Sequence, residues 1–167
     1  MIPPLDLLSE FARIAESLRG KRVRYALIGG LALAAHGVAR ATKDVDFLVH
    51  AEDLARFRSA VATVGYRIHS EVVTFRESGM TLHRLVKPLP DPEDALIIDA
   101  LVPSDPRHVE MIRRAQRMRW GTGFVKVVRR ADLIDLKRGA SRPQDLADIE
   151  NLDAKAKKLQ RTGKGHT

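Results

Sequence analysis

The stretch that decides the fold runs from Leu27 to Val49 and reads LIGGLALAAHGVARATKDVDFLV. It opens inside a short β-type run, Val23 to Ile28, which Gly29 and Gly30 stop. The small residues of LALAAHG then continue with helical character. A strand that ends in two glycines and turns into a helix leaves backbone N–H groups pointing at open space, an arrangement that binds phosphate. A missing Cβ lets a ligand approach the backbone closely. A plain turn uses the same residues, so the pair gains its weight from the acids further along the chain. After thirteen residues, 31–43, the chain reaches Asp44-Val45-Asp46-Phe47. On a strand over Val45 to Val49, the two-residue period puts Asp44 and Asp46 on one face and turns Val45 and Phe47 towards a core.

Two acids side by side on a sheet face repel each other unless a cation or a proton lies between them. Magnesium suits such oxygen ligands, being held by one or two carboxylates plus substrate phosphates. Outward along the chain, Ala95 to Val102 (ALIIDALV) is apolar enough for a central strand, and Asp99 sits inside it. A charge there is costly without a partner. Asp94, five positions earlier, falls on the other face, so Asp99 is the acid available to join the pair. Each acid has a plainer reading: a solvated strand end for Asp44, and an arginine-satisfied buried acid for Asp99.

The remaining segments predict a mixed α/β (α+β) domain with a mixed central sheet flanked by helices. Leu8, Phe11, Ile14 and Leu18 mark an amphipathic helix over 5–19, and Leu54, Phe57, Val61 and Val64 mark another, closed by Gly65. Val72–Arg76 and Leu82–Val86, linked through Gly79, read as a hairpin. Asp105-Pro106 caps a helix expected to run to Met118, followed by a strand at Phe124–Val128. Helices near 131–138 and 143–157 close a single domain spanning 1–157, and residues 158–167 read as a basic, disordered tail.

Zero cysteines among 167 residues exclude a disulfide framework, thiolate zinc sites and cysteine nucleophiles. No secretory signal is visible, and the longest weakly polar run, Tyr25 to Val38, is too short to span a membrane. A cytoplasmic protein with no membrane partner is the expectation. The 29 Lys and Arg exceed the 21 Asp and Glu by eight, a surplus that attracts polyanions. Five arginines at 113, 114, 117, 119 and 129 are candidates to track an RNA backbone, with a solvated basic face as the alternative.

From Leu27 to Val49 the chain resembles the signature of the polymerase-β-like nucleotidyltransferase superfamily, carried by Ile28-Gly29-Gly30, Asp44-Val45-Asp46-Phe47 and the later Ile98-Asp99-Ala100. The form Arg40 to Asp46 resembles the subgroup containing nucleotidyltransferase toxins of bacterial toxin–antitoxin and abortive-infection systems. The segment ADLIDLKRGASRPQDLADIENL, with Lys137, Arg142, Asp145 and Asp148, is similar to that subgroup's closing helices. The resemblance implies a nucleotidyltransferase fold and transfer of a nucleoside monophosphate from an NTP to a hydroxyl, releasing pyrophosphate. Asp44, Asp46 and Asp99 are then the catalytic and metal-holding residues, bridging two Mg2+ ions about 3.5–4 Å apart. Gly29 and Gly30 hold phosphates, with Arg40, Thr42, Lys43 and Lys137 as further nucleotide-binding candidates.

Alternatives stay open for several of these. Arg40 and Lys43 are either anion contacts or counter-charges, Thr42 suits a loop cap, and Lys137 is otherwise a solvated helix-end lysine. Asp145 and Asp148 fit a salt-bridge and capping network, and His36 fits packing rather than ligation. The acceptor implied is tRNA or another RNA, with a cognate antitoxin as a protein partner. The rivals are a small hydroxylated molecule such as an aminoglycoside, or a catalytically silent member that acts as a binding partner.

Overall fold

The computed structural model describes residues 7–69, 71–140 and 142–163. Helix α1 (Leu7–Gly20) buries Phe11, Ile14, Ala15 and Leu18 along one stripe, while its expected start at residue 5 lies outside the described residues. Strand β1 (Tyr25–Ile28) runs directly into a short helix α2 (Gly29–Ala35), so the two glycines are the first helical residues. Strand β2 (Asp44–Val49) and a single 3-10 turn (Ala51–Asp53) lead to α3 (Leu54–Ala62). Strands β3 (Arg67–Ile68), β4 (Val73–Phe75), β5 (Met80–Pro88) and β6 (Ala95–Pro103) precede α4 (Pro106–Arg113). A hairpin of β7 (Gln116–Trp120) and β8 (Gly123–Val127) comes next, and the helices α5 (Arg130–Ala140) and α6 (Pro143–Gly163) complete the chain's described order.

The strands form one mixed sheet in the order β3-β5-β6-β2-β1-β8-β7, with β4 also paired to β5. At its centre β2 runs parallel to β6 and antiparallel to β1. One face of the sheet is apolar because β2 alternates. Phe47 packs against Phe11 of α1 and Phe57 of α3, with ring centroids 6.0 and 5.5 Å away, and Tyr25 meets it edge-on at 5.6 Å. Asp44 and Asp46 therefore project from the opposite face.

Three expectations need correction. The helix from Asp105 stops at Arg113 instead of Met118, and Gln116 to Trp120 form a strand. Polar and apolar residues alternate there: Met118 and Trp120 are partly buried on the α1 side, and Trp120 stacks edge-on against Phe11 at 4.8 Å. Gly121, at a left-handed φ of 57°, makes the tight turn into β8. Helix α6 continues to Gly163, six residues beyond the expected 157, because Lys158-Leu159-Gln160-Arg161 are good helix formers. Of the tail expected to be disordered, residues 158–163 are thus helical and 164–167 lie outside the described residues. The edge strand β3 has no counterpart in the sequence reading; two residues are too few to show periodicity.

Phe47 is fully buried and touches three other rings. Truncation by Phe47→Ala should lower unfolding stability by about 3–5 kcal/mol, read as an earlier urea midpoint with an unchanged slope.

Candidate active site

The candidate site is built from a single row of the sheet. Ile28 of β1 lies opposite Asp46 of β2, Asp46 opposite Asp99 of β6, and Asp99 opposite Arg84 of β5. Directly paired residues share a face, so Asp46, Asp99 and Arg84 stand side by side, and Asp44 lies two residues along from Asp46 on the same face. The proximity of the acids is visible electrostatically. Burial, then the charges of Asp99 and Asp44, push the Asp46 carboxyl up to about 7.

The glycine bend is shaped around this carboxylate. Gly29 has a φ of +69°, and a Cβ there would overlap Oδ2 of Asp46. A Cβ on Gly30 would come within 2.8 Å of the Thr42 Cβ. Thr42 in turn donates from Oγ1 to the Asp44 carbonyl at 3.0 Å, capping the loop into β2. The pair of glycines thus lets the first turn of α2 and the loop before β2 close around Asp46. No side chain caps that turn of α2.

Asp99 is held differently from its companions. Arg84 donates from Nε to Oδ1 at 2.7 Å and from its terminal nitrogen to Oδ2 at 2.8 Å, a bidentate pair across neighbouring strands. That contact raises the arginine's own pKa. The arginine-satisfied reading of Asp99 therefore describes this state, although the residue also faces Asp46. Among the described residues, no group of three carboxylate or imidazole side chains is gathered closely enough to hold an ion as it stands. The donor set nevertheless fits magnesium: all its oxygens are carboxylate, burial and like-charge repulsion on Asp46 outweigh the nearby Arg84 and Lys137, and the glycine cradle keeps its approach clear.

The other candidates divide. Lys137 is buried, and its Nζ lies 2.9 Å from Asp148 and 3.5 Å from Asp145. It is neither solvated nor free to extend, yet its charge still favours ionised Asp46. Arg40 forms an ion pair with the same Asp148, a counter-charge arrangement. Arg142 donates to Asp145 at 2.9 Å. Burial pushes the Asp145 carboxyl up, but Arg142 and Lys137 outweigh it and hold the group below its ordinary range. Lys43 is exposed at the entrance to β2. His36 is buried, bonded at 2.8 Å to the Val128 carbonyl, and burial lowers its pKa, as a packing residue requires.

A cleft of about 1330 Å³ opens from Gly29 and Asp46 along the acid face, between the β4–β5 hairpin, α4 and α5. Its walls mix apolar residues (Phe75, Met80, Leu101) with Lys137 and Arg142. Of the five arginines considered for RNA, Arg113 pairs with Glu110, Arg114 pairs with Asp132 and Arg129 bonds the Arg114 carbonyl. Arg117 and Arg119 are exposed on β7, where Arg117 lies 4.0 Å over the ring of Phe124. Sequence reasoning missed Arg84, a cation inside a β-type run whose place opposite Asp99 is set by the β5–β6 register.

No protein-family model matches the chain, and no curated protein matches its sequence. Solved structures do match its fold. The lincosamide antibiotic adenylyltransferase LnuA, determined with lincomycin bound, superposes with a TM-score of 0.56 at 13% identity, covering 87% of this chain and 95% of its own. ANT(2'')-Ia, in complex with adenylyl-2''-tobramycin, gives 0.54 at 14% identity over 93% of this chain and 98% of its own. TM1012 of Thermotoga maritima gives 0.56 at 15% identity over 96% of each. At these identities the likeness establishes the architecture: the chain has the nucleotidyltransferase fold.

Two outcomes test the site's geometry without any assay of activity. Gly29→Ala should destabilise the protein by roughly 2 kcal/mol or more, through its left-handed φ and the contact with Asp46, measured as a lower melting temperature. Asp46 titrates near 7 when folded and near 3.8 when unfolded, so its ionisation destabilises the fold increasingly as pH rises from about 4 to about 7. Without divalent ions, Asp46→Asn should therefore be more stable than the parent at pH 8, by on the order of 3 kcal/mol, and equal to it near pH 3.

Proposed function

We propose that the protein is a magnesium-dependent nucleotidyltransferase that moves a nucleoside monophosphate from an NTP to a hydroxyl acceptor. The observation that carries this reading is the register Ile28–Asp46–Asp99, which sets three like-charged carboxylates on one sheet face beneath a glycine bend shaped around one of them. The fold shared with LnuA and ANT(2'')-Ia supports it. Asp44, Asp46 and Asp99 would hold Mg2+, whose role when bound is to neutralise charge on the phosphates and on the attacking oxygen.

The chain's own residues supply the rest. Backbone N–H groups at Gly29 and Gly30 receive the phosphates at the uncapped first turn of α2. Lys137 and Arg142, fixed by Asp145 and Asp148, add positive charge beside the cleft. The acceptor oxygen forms a bond to the α-phosphorus as the bond to the bridging oxygen breaks. Pyrophosphate leaves, and the hydroxyl proton passes to Asp99.

RNA is the acceptor we favour, with Arg117, Arg119 and Lys126 exposed on the acid side of the β7–β8 hairpin to receive its backbone. The resemblance of Arg40–Asp46 and of α5–α6 to toxin nucleotidyltransferases supports that acceptor, a cytoplasmic role and a cognate antitoxin. A small hydroxylated acceptor is the second reading; it is favoured by a cleft large enough for a nucleotide and a second molecule, and by the ligands of LnuA and ANT(2'')-Ia.

The deciding experiment incubates the protein with each α-labelled NTP and Mg2+, adding total RNA in one arm and amino-sugar and lincosamide compounds in the other. Label should appear in an acceptor and be lost on chelation. Asp46→Ala should reduce it on the order of a thousandfold with the fold retained. Label in neither arm, or transfer surviving in Asp46→Ala, overturns the assignment. At limiting Mg2+ the rate should climb through about pH 7 as Asp46 ionises, and higher Mg2+ should move that rise to lower pH.

A further inference from the structure

The one strong contact in the acid row that the proposed reaction does not use is Arg84 on Asp99. Its two nitrogens take both carboxylate oxygens of Asp99, the atoms a cation would need. The partners differ in freedom: the Asp99 side chain is 12% exposed, and that of Arg84 is 38% exposed. Among the described residues, Asp99 is the only hydrogen-bonded partner of the Arg84 guanidinium. A long side chain anchored at a single point and open to water can leave, whereas a carboxylate buried on an apolar strand cannot. Arg84 also feels Asp44 and Asp46, so it acts as counter-charge for all three acids.

We propose that Arg84 is the resident cation of the third carboxylate. It fills both oxygens of Asp99 in the free protein and yields them to a divalent ion that arrives with the nucleotide. The proposal rests on the nucleotidyltransfer reading. It accounts for the absence of a ready-made ion cluster among the described residues in a row that nevertheless holds three acids. An ion alone must displace a bidentate guanidinium and so binds weakly. A nucleotide triphosphate tips the exchange, because it brings further oxygens for the ion and an anionic group for the released guanidinium. Arg84 is thus a positioning residue, coupling use of Asp99 to the presence of nucleotide.

The test counts Mn2+ bound to the intact protein by electron paramagnetic resonance, with no nucleotide present. Arg84→Gln should bind Mn2+ on the order of tenfold more tightly than the parent, the scale of a charged hydrogen-bonded contact removed from competition. The gain should vanish in the double variant Arg84→Gln with Asp99→Asn. Equal affinity in parent and Arg84→Gln, or a gain that survives in the double variant, overturns the proposal and leaves the transferase reading standing. No Mn2+ binding in any form, even with a non-hydrolysable NTP, overturns both. A measurement on the parent protein guards against a folding defect in the variants. The Arg84 Nε–H should show a scalar coupling across its hydrogen bond to the Asp99 carboxyl carbon in the free protein, and lose it once Mg2+ and a non-hydrolysable NTP are both present. A coupling to Asp99 that persists at saturation overturns the exchange of partners.

Discussion

Carboxylates crowded on one face of a sheet repel one another, and the acid face of this structure is organised around that repulsion. Asp46, Asp99 and Asp44 occupy the centre of a mixed sheet whose other face is a tightly packed aromatic core. The strand order is what gathers them: β2 lies between β1, which carries the glycine bend, and β6, which carries the third acid. Each acid is accommodated by a different means. Asp99 is neutralised by Arg84, Asp46 keeps its proton to unusually high pH, and Asp44 sits at the outer end of β2, where its neighbour Lys43 is exposed. Asp46 is left in the least favourable surroundings of the three, set by its burial and by the charges of Asp99 and Asp44.

The layout of the site was largely legible in the sequence because it depends on short-range regularities. A two-residue period fixed which way Asp44 and Asp46 point, and the apolar run around Asp99 marked a central strand. The glycine pair was legible as a bend, but its reason was not. Gly29 is needed by a side chain seventeen positions later, and only coordinates reveal that contact. Arg84 was illegible for a related reason: its role comes from the β5–β6 register across a loop, which a single strand's pattern does not specify. Lys137 lines the same cleft as Asp46, but neither its burial nor its two aspartate partners could be read from a helix end.

The two errors in element boundaries have opposite causes. Gln116 to Trp120 carry residues that suit a helix, and tertiary packing of Met118 and Trp120 on the α1 side overrode that preference. The opposite happened at the end of the chain, where strong helix formers carried α6 past the point at which composition alone suggested disorder. In the first case long-range contacts decided the outcome, and in the second local propensity sufficed.

The ion network of α5 and α6 joins parts of the chain that lie far apart in sequence. Arg40, which precedes the acid strand, is tied to Asp148, 108 positions later, and Lys137 shares that same carboxylate. The loop leading into Asp44 and the helix α6 are thus tied through one carboxylate across most of the chain's length. Removing Asp148 would take from Arg40 and Lys137 the one carboxylate they share, so the loop before β2 and helix α5 answer to a single group on α6.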